Sequence, residues 1–158
     1  MLAGPLARGA DMRAAVNELS GTCTRLSAVI VKRKPVSTEA AAKHAADVAL
    51  AEQFDDLLAQ ARSAEDALRT AQASGASLAD LHKLGKHLDD ALTAVMRAAF
   101  AAERAEIGPR GYDDRIYRRK AMATPPVRAW TMEAQRLLTL RESHRLTGIA
   151  RLPRTPAV

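Results

Sequence analysis

The chain has 158 residues, of which 47% are apolar and only 3% aromatic, so it can form one domain whose core is built from Ala, Leu and Val. Its single cysteine excludes an intramolecular disulfide and predicts a reducing compartment inside the cell. No stretch approaches the roughly 20 apolar residues of a membrane span, and no alternating run of β-branched residues predicts a strand. The sequence therefore predicts an all-α protein without a membrane span.

The net charge of +6 is concentrated in the C-terminal third of the chain. Residues 1–106 carry 13 Lys and Arg against 14 Asp and Glu, a net charge of −1. Residues 107–158 carry 11 Lys and Arg against 4 Asp and Glu, a net charge of +7. This asymmetry predicts a neutral helical body with a basic arm, and a merely solubilising surface is the alternative interpretation.

The N-terminal part is predicted to hold a short extension and a first helix. Residues 1–10 contain one arginine, two leucines and no acidic residue, which weakly resembles the start of a mitochondrial presequence; we interpret them as an N-terminal extension. A helix is predicted from Asp11 to Lys34, where Pro35 ends it. Its apolar residues recur in steps of four and three at Met12, Val16, Leu19, Cys23, Leu26 and Ile30.

Two longer helices are predicted from Ser37 to Ala73 and from Leu78 to Glu106, folded back on each other at a short turn. Ser37 or Thr38 is a suitable N-cap for the first helix and Ser77 for the second, and Gly75 can take the left-handed conformation that ends a helix. Small or apolar residues recur about every 3.5 residues, which keeps one seam against a partner helix. The seams are Leu50, Phe54, Leu57, Ala61, Ala64, Leu68 and Ala71 in the first helix, and Leu78, Leu81, Gly85, Leu88, Leu92, Val95, Ala99 and Ala102 in the second.

Residues 11–106 are therefore predicted to form an antiparallel three-helix bundle with coiled-coil-like packing. Such seams serve equally within one chain or between chains. Two glycines and a proline between Ile107 and Gly111 mark the boundary with a basic helical C-terminal arm, residues 107–158.

The C-terminal arm is predicted to contain a short helix, a longer helix and an extended tail. The short helix covers residues 112–120 and is capped by Asp113. The longer helix begins at Thr124-Pro125-Pro126 and ends before Gly148. It presents Val127, Trp130, Ala134, Leu137 and Leu138 on one side.

No constellation of residues predicts catalysis, a cofactor or a metal. None of the four histidines has a glutamate three residues before it, so the pattern of di-iron bundles is missing. The segment Gly85-Lys86-His87 lacks the flanking residues of a phosphate-binding loop. We therefore expect a protein that is not an enzyme and has no cofactor.

The best candidate site lies among the arginines and aromatic residues of the arm. Arginine binds phosphates or carboxylates through paired hydrogen bonds, and aromatic rings can stack on bases. The same residue types are enriched at protein interfaces. The candidate partner- or phosphate-binding residues are Arg110, Tyr112, Arg115, Tyr117, Arg118, Arg119, Lys120, Arg128 and Trp130. A further interpretation is that the arm packs on its own bundle.

The leading hypothesis is a non-catalytic structural subunit of a large macromolecular complex, in which the bundle is a rigid spacer and the basic arm contacts other protein subunits. The alternative is an RNA- or DNA-binding protein, such as a ribosomal or packaging component, that uses segment 110–120 on phosphates. A coat on a lipid or polymer surface is a third interpretation, but most of the cations lie away from the apolar seams, whereas membrane helices place cations beside the apolar face. The sequence leaves open which complex is involved, and a mitochondrial location stays open beside other reducing compartments.

Overall fold

The computed structural model describes residues 35–152, and every regular element in that range is helical. The predicted all-α class is thereby confirmed for the described part of the chain. The N-terminal extension and the helix predicted over residues 11–34 lie outside it, as does most of the predicted tail. The elements are α1 (Thr38–Glu52), α2 (Phe54–Ala73), α3 (Leu78–Ile107), α4 (Arg110–Asp113), α5 (Arg115–Ala121), α6 (Pro125–Ser143) and a π-helical turn (His144–Gly148).

The helix predicted as continuous from Ser37 to Ala73 is interrupted at Gln53, which ends α1 and precedes α2. The backbone of Gln53 has φ −83° and ψ −1°, and its N–H donates to the carbonyl of Leu50 at 3.2 Å. This bond spans three residues instead of four, so the helix tightens locally before α2 begins. The prediction of one helix was wrong here because no glycine or proline marks the break.

The turn between α2 and α3 follows the sequence prediction. Gly75 has φ 68°, in the left-handed region that a glycine occupies without steric cost. The Ser77 hydroxyl accepts a hydrogen bond from the N–H of Asp80 at 3.2 Å and caps α3. The two helices pack against each other as a helical hairpin.

Helix α3 is the centre of the described structure, because α1, α2 and α6 all pack against it. Most of its predicted seam is buried, but Leu78 at its start is 49% exposed. It also buries Ala98 and Ala101, which lie outside that seam. Small residues are needed there because neighbouring helices approach α3 from more than one side.

Helix α6 belongs to the same hydrophobic core as α2 and α3. Its Trp130 is only 6% exposed and meets Phe54 of α2 edge to face, with ring centroids 5.2 Å apart. Of the predicted α6 stripe, only Leu138 stays partly exposed, whereas Val127, Trp130, Ala134 and Leu137 are buried. This part of the arm therefore packs on the protein's own helices.

The C-terminal end of α6 is fixed to the first half of α3 by polar contacts. His144 donates from Nε2 to the carbonyl of Gly85 at 2.7 Å. The Arg145 guanidinium donates to both carboxylate oxygens of Asp89, at 2.7 and 2.9 Å. Arg141 of α6 lies 3.4 Å from the same carboxylate. A single aspartate of α3 thus holds two arginines of the basic arm.

Candidate interaction surface

The chain between α3 and α6 forms a small projection at the C-terminal end of α3, and we call residues 108–122 the basic lobe. Gly108 ends α3 with φ 84°, a conformation that favours glycine. Gly111 is buried, and a Cβ atom there would lie 2.3 Å from Cγ2 of Ile107. Glycine at this position therefore lets α4 fold closely over the last turn of α3.

The first attachment of the basic lobe is the carboxylate of Asp47 in α1. Arg104 of α3 donates to it from Nε and Nη2, both at 2.7 Å, and the hydroxyl of Tyr112 donates to the same carboxylate. His44 donates from Nε2 to the carbonyl of Ala105 at 3.1 Å, and its ring meets that of Tyr112 edge to face at 6.4 Å. One carboxylate therefore joins α1, α3 and α4.

The charges at this attachment are fixed at neutral pH. The hydrogen bond from Arg104 holds the pKa of Asp47 below its ordinary value of 3.8. Burial, together with the neighbouring Asp47, raises the pKa of Tyr112 to about 12. Tyr112 is consequently a neutral hydrogen-bond donor and Asp47 an ionised acceptor, which is the arrangement that this contact needs.

The second attachment is Asp113, which accepts from the N–H of Ser37 at 2.8 Å and from its hydroxyl at 2.9 Å. Of the two predicted caps, Ser37 and Thr38, it is Ser37 that caps α1, because its hydroxyl oxygen accepts from the N–H of Ala40 at 3.1 Å. The predicted cap of the short helix was one residue off. Asp113 is engaged by Ser37, and Asp114 caps α5 by accepting from the N–H of Tyr117 at 2.9 Å. That hydrogen bond also lowers the pKa of Asp114.

Two candidate residues are used inside the basic lobe. The Arg110 guanidinium donates to Asp114 at 3.0 Å and lies over the ring of Tyr117, 4.9 Å from its centroid. Tyr117 is 37% exposed, but this cation covers one of its faces. Arg110 therefore stabilises the lobe instead of pointing freely to solvent.

The outer surface of the basic lobe consists of the remaining cations of α5. This helix has no buried and no acidic residue. These cations are Arg115, Arg118, Arg119 and Lys120. All four side chains are exposed, and within residues 35–152 they form no hydrogen bond or ion pair. Two apolar side chains lie among them, Ile116 at 70% and Met122 at 42% exposure.

The nine predicted site residues thus divide by environment. Arg115, Arg118, Arg119 and Lys120 are all exposed on α5, and Arg128 is exposed at the start of α6. Arg110, Tyr112 and Tyr117 stabilise the lobe, and Trp130 lies in the core. The prediction omitted Ile116 and Met122. Ile116 lies inside the run of cations in the sequence, and Met122 comes two residues after its last member, Lys120.

No group of three or more His, Cys, Asp or Glu side chains between residues 35 and 152 is arranged to hold a metal ion. Among the same residues, no helix has the length and hydrophobicity needed to cross a membrane.

No protein-family model, curated protein or solved structure matches this chain.

Proposed function

We propose that this protein is a non-catalytic structural subunit of a large macromolecular complex and that α5, with Met122, is its docking element. The observation that carries the proposal is the group of four exposed cations of α5, which have no carboxylate partner in the described chain. Elsewhere in the C-terminal third, Arg136, Arg141 and Arg145 all have such partners. Cations left unpaired on a projecting helix favour a partner outside the molecule.

The rest of the molecule suits the role of a rigid spacer. The 30-residue helix α3 spans about 45 Å, and a continuous core joins it to α2 and α6. The closely packed alanines along α3 support the antiparallel coiled-coil-like bundle that the seams predict. We expect the complex in a reducing intracellular compartment, a mitochondrial location being one option.

A protein neighbour is favoured over nucleic acid because the aromatic residues of the arm are already occupied. Trp130 is in the core, Tyr112 is bonded to Asp47, and Arg110 covers one face of Tyr117. Stacking on bases, a main contribution to binding of single strands, is therefore largely unavailable. Ile116, in contrast, is 70% exposed, and an apolar side chain gains nothing from a phosphate.

RNA or DNA binding is the second candidate, and the same four cations favour it. Arg115, Arg118, Arg119 and Lys120 lie within six residues without an intervening carboxylate, which suits contact with consecutive phosphates. Affinity of this kind falls steeply with salt because counterions are released. The two functions differ in whether nuclease removes the partner.

The test is size fractionation of the native protein from its source, with and without nuclease, followed by mass spectrometry of co-migrating proteins. We expect a large species that survives nuclease. Changing Arg115, Arg118, Arg119 and Lys120 together to Gln should release the protein from it. The matched control changes four exposed cations elsewhere, Lys83, Lys86, Arg97 and Arg151, to Gln and should leave it bound. Loss of the large species on nuclease treatment would support the second candidate, and a small species under all conditions would exclude both.

A further inference from the structure

The side chains of α5 are arranged in a definite order around the helix. Tyr117 is on the side of α5 that contacts Arg110 of α4. At about 100° per residue, Arg115 and Arg119 lie together on the opposite side of the helix. Ile116 lies beside this arginine pair on one flank. Met122, at the C-terminal end of α5, lies beside it on the other flank. The outer surface of α5 is therefore a basic ridge between two exposed apolar side chains.

We infer that α5 binds an acidic protein segment that carries apolar side chains among its carboxylates. This inference rests on the proposed function and names the chemistry of the partner. Arginine guanidinium groups match carboxylates through two parallel hydrogen bonds. Ile116 and Met122 need apolar contacts on the same partner, because burying them against charged groups alone would gain nothing.

The apolar side chains are what distinguish an acidic protein segment from a nucleic acid. A phosphate backbone satisfies Arg115, Arg118 and Arg119 equally well, but it offers no apolar surface for Ile116 at 70% exposure. Nucleic acid would offer base faces instead, which bind aromatic rings. A protein segment with Glu or Asp on both sides of Leu, Ile or Val complements both kinds of side chain.

The attachment of the basic lobe adds to this argument. Asp47 and Ser37 hold α4 through Tyr112 and Asp113, and Asp114 caps α5. The surface is thus formed before a partner arrives, so association does not have to order a flexible segment. A preformed helix that presents cations and apolar side chains together suits a partner helix with the complementary pattern.

The inference is tested by fluorescence anisotropy of the full-length protein with labelled probes. The first probe is a helical peptide with Glu and Leu on one face. The second has every Glu replaced by Gln, the third has every Leu replaced by Ser, and the fourth is a single-stranded RNA. We expect the first peptide to bind, and the second and third to bind at least about tenfold more weakly, a change of about 1.4 kcal/mol. RNA should bind more weakly than the first peptide.

Protein variants assign the binding to α5. Ile116→Ser should weaken binding of the Glu/Leu peptide by about tenfold and leave the weak RNA signal unchanged. The control Met132→Ser changes a methionine of α6 that is 68% exposed and should have no effect. Both positions are exposed, so both variants should keep the helical circular dichroism of the wild type. Equal binding of the Leu-to-Ser peptide, tighter binding of RNA or no binding of the Glu/Leu peptide would overturn the inference.

The outcome can be separated from that of the proposed function. If the four-fold Gln variant leaves the native complex but the Glu/Leu peptide does not bind, α5 is the docking element and the inferred partner chemistry is wrong. If the variant stays in the complex and the peptide binds only the wild type, docking of that complex through α5 is wrong. The acidic partner would then have to be sought outside it.

Discussion

Helices α5 and α6 lie in the same basic third of the chain, yet the cations of α5 and those of the second half of α6 have opposite environments. In α6 and the turn that follows it, Arg136 donates to the buried Glu133, and Arg141 and Arg145 meet Asp89 of α3. In α5, which has four cations in seven residues, none of these side chains has a partner in the described chain.

This comparison shows that the net charge of a segment does not reveal which cations are available to a partner. The segment's apolar pattern decides instead. Helix α6 carries Trp130 and Leu137 on one side and therefore packs along α3, which brings its arginines near Asp89. Helix α5 is too short to form such a stripe, and its isoleucine is exposed. Its cations consequently remain outside the reach of the acidic residues of α1, α2 and α3.

The largest difference between the two helices should appear when each loses its main apolar side chain. Trp130→Ala empties a buried site against Phe54, so it should lower the free energy of unfolding by about 3–5 kcal/mol. Ile116→Ala removes an exposed side chain and should change it by less than about 0.5 kcal/mol. Urea denaturation followed by circular dichroism measures both. Similar losses for the two variants would mean that α5 is also part of the core.

The ion pairs of α6 should contribute measurably to stability. Asp89→Ala removes the carboxylate that accepts two hydrogen bonds from Arg145. It leaves Arg141, a side chain only 15% exposed, with the exposed Glu142 as its remaining ion-pair partner. We expect a loss of roughly 1.5–3 kcal/mol in urea denaturation, in the range of hydrogen bonds to charged groups. Asp90→Ala, at the exposed neighbouring position, is the matched control and should be nearly neutral. A neutral Asp89→Ala would show that these ion pairs do not help to hold α6 against α3.

The sequence was sufficient for features that depend on local chemistry or helical spacing. The N-caps Ser37 and Ser77, the left-handed Gly75 and the buried side of α6 all follow from residue type and a repeat of three and four. The break at Gln53 was not predictable, because no residue there opposes a continuous helix.

The assignment of Asp113 and Asp114 was not predictable from the sequence either. Both aspartates are good caps, and the choice depends on Ser37, which lies 76 positions away. The division of the candidate interaction residues into buried and exposed ones was also not predictable from the sequence. The composition identified the basic segment, but only the packing separates Trp130 from the exposed arginines of α5.

A smaller effect is expected at alkaline pH from the attachment of the basic lobe. The pKa of Tyr112 is raised to about 12 in the folded protein, whereas the unfolded value is about 10. The neutral phenol therefore stabilises the fold fully below about pH 10, and this contribution is lost as the pH rises toward 12. We expect the neutral Tyr112 phenol to contribute roughly 1–2 kcal/mol to the free energy of unfolding, after allowing for its solvent exposure.

This contribution is measured as the difference in unfolding free energy between wild type and Tyr112→Phe as a function of pH. The difference should be constant near neutral pH and shrink above pH 10. Tyrosinate absorbance should be measured against pH for both proteins. The difference between the two curves is the ionisation of Tyr112, which we expect near pH 12. If that group ionises near pH 10 instead, Tyr112 is not held against Asp47 in solution.

The smallest effect on stability should come from the four-fold change of Arg115, Arg118, Arg119 and Lys120 to Gln. Like charges three and four residues apart destabilise a helix by about 0.2–0.5 kcal/mol per pair. Cations in the last turn interact favourably with the helix dipole and stabilise the helix by a similar amount. The two terms oppose each other, so urea denaturation should show a net change below about 0.5 kcal/mol. Arg145→Gln, which breaks the pair with Asp89, should be more destabilising than all four changes in α5. If the four-fold variant is instead strongly destabilised, those cations serve the fold of this chain, and the contrast between α5 and α6 disappears together with the docking proposal.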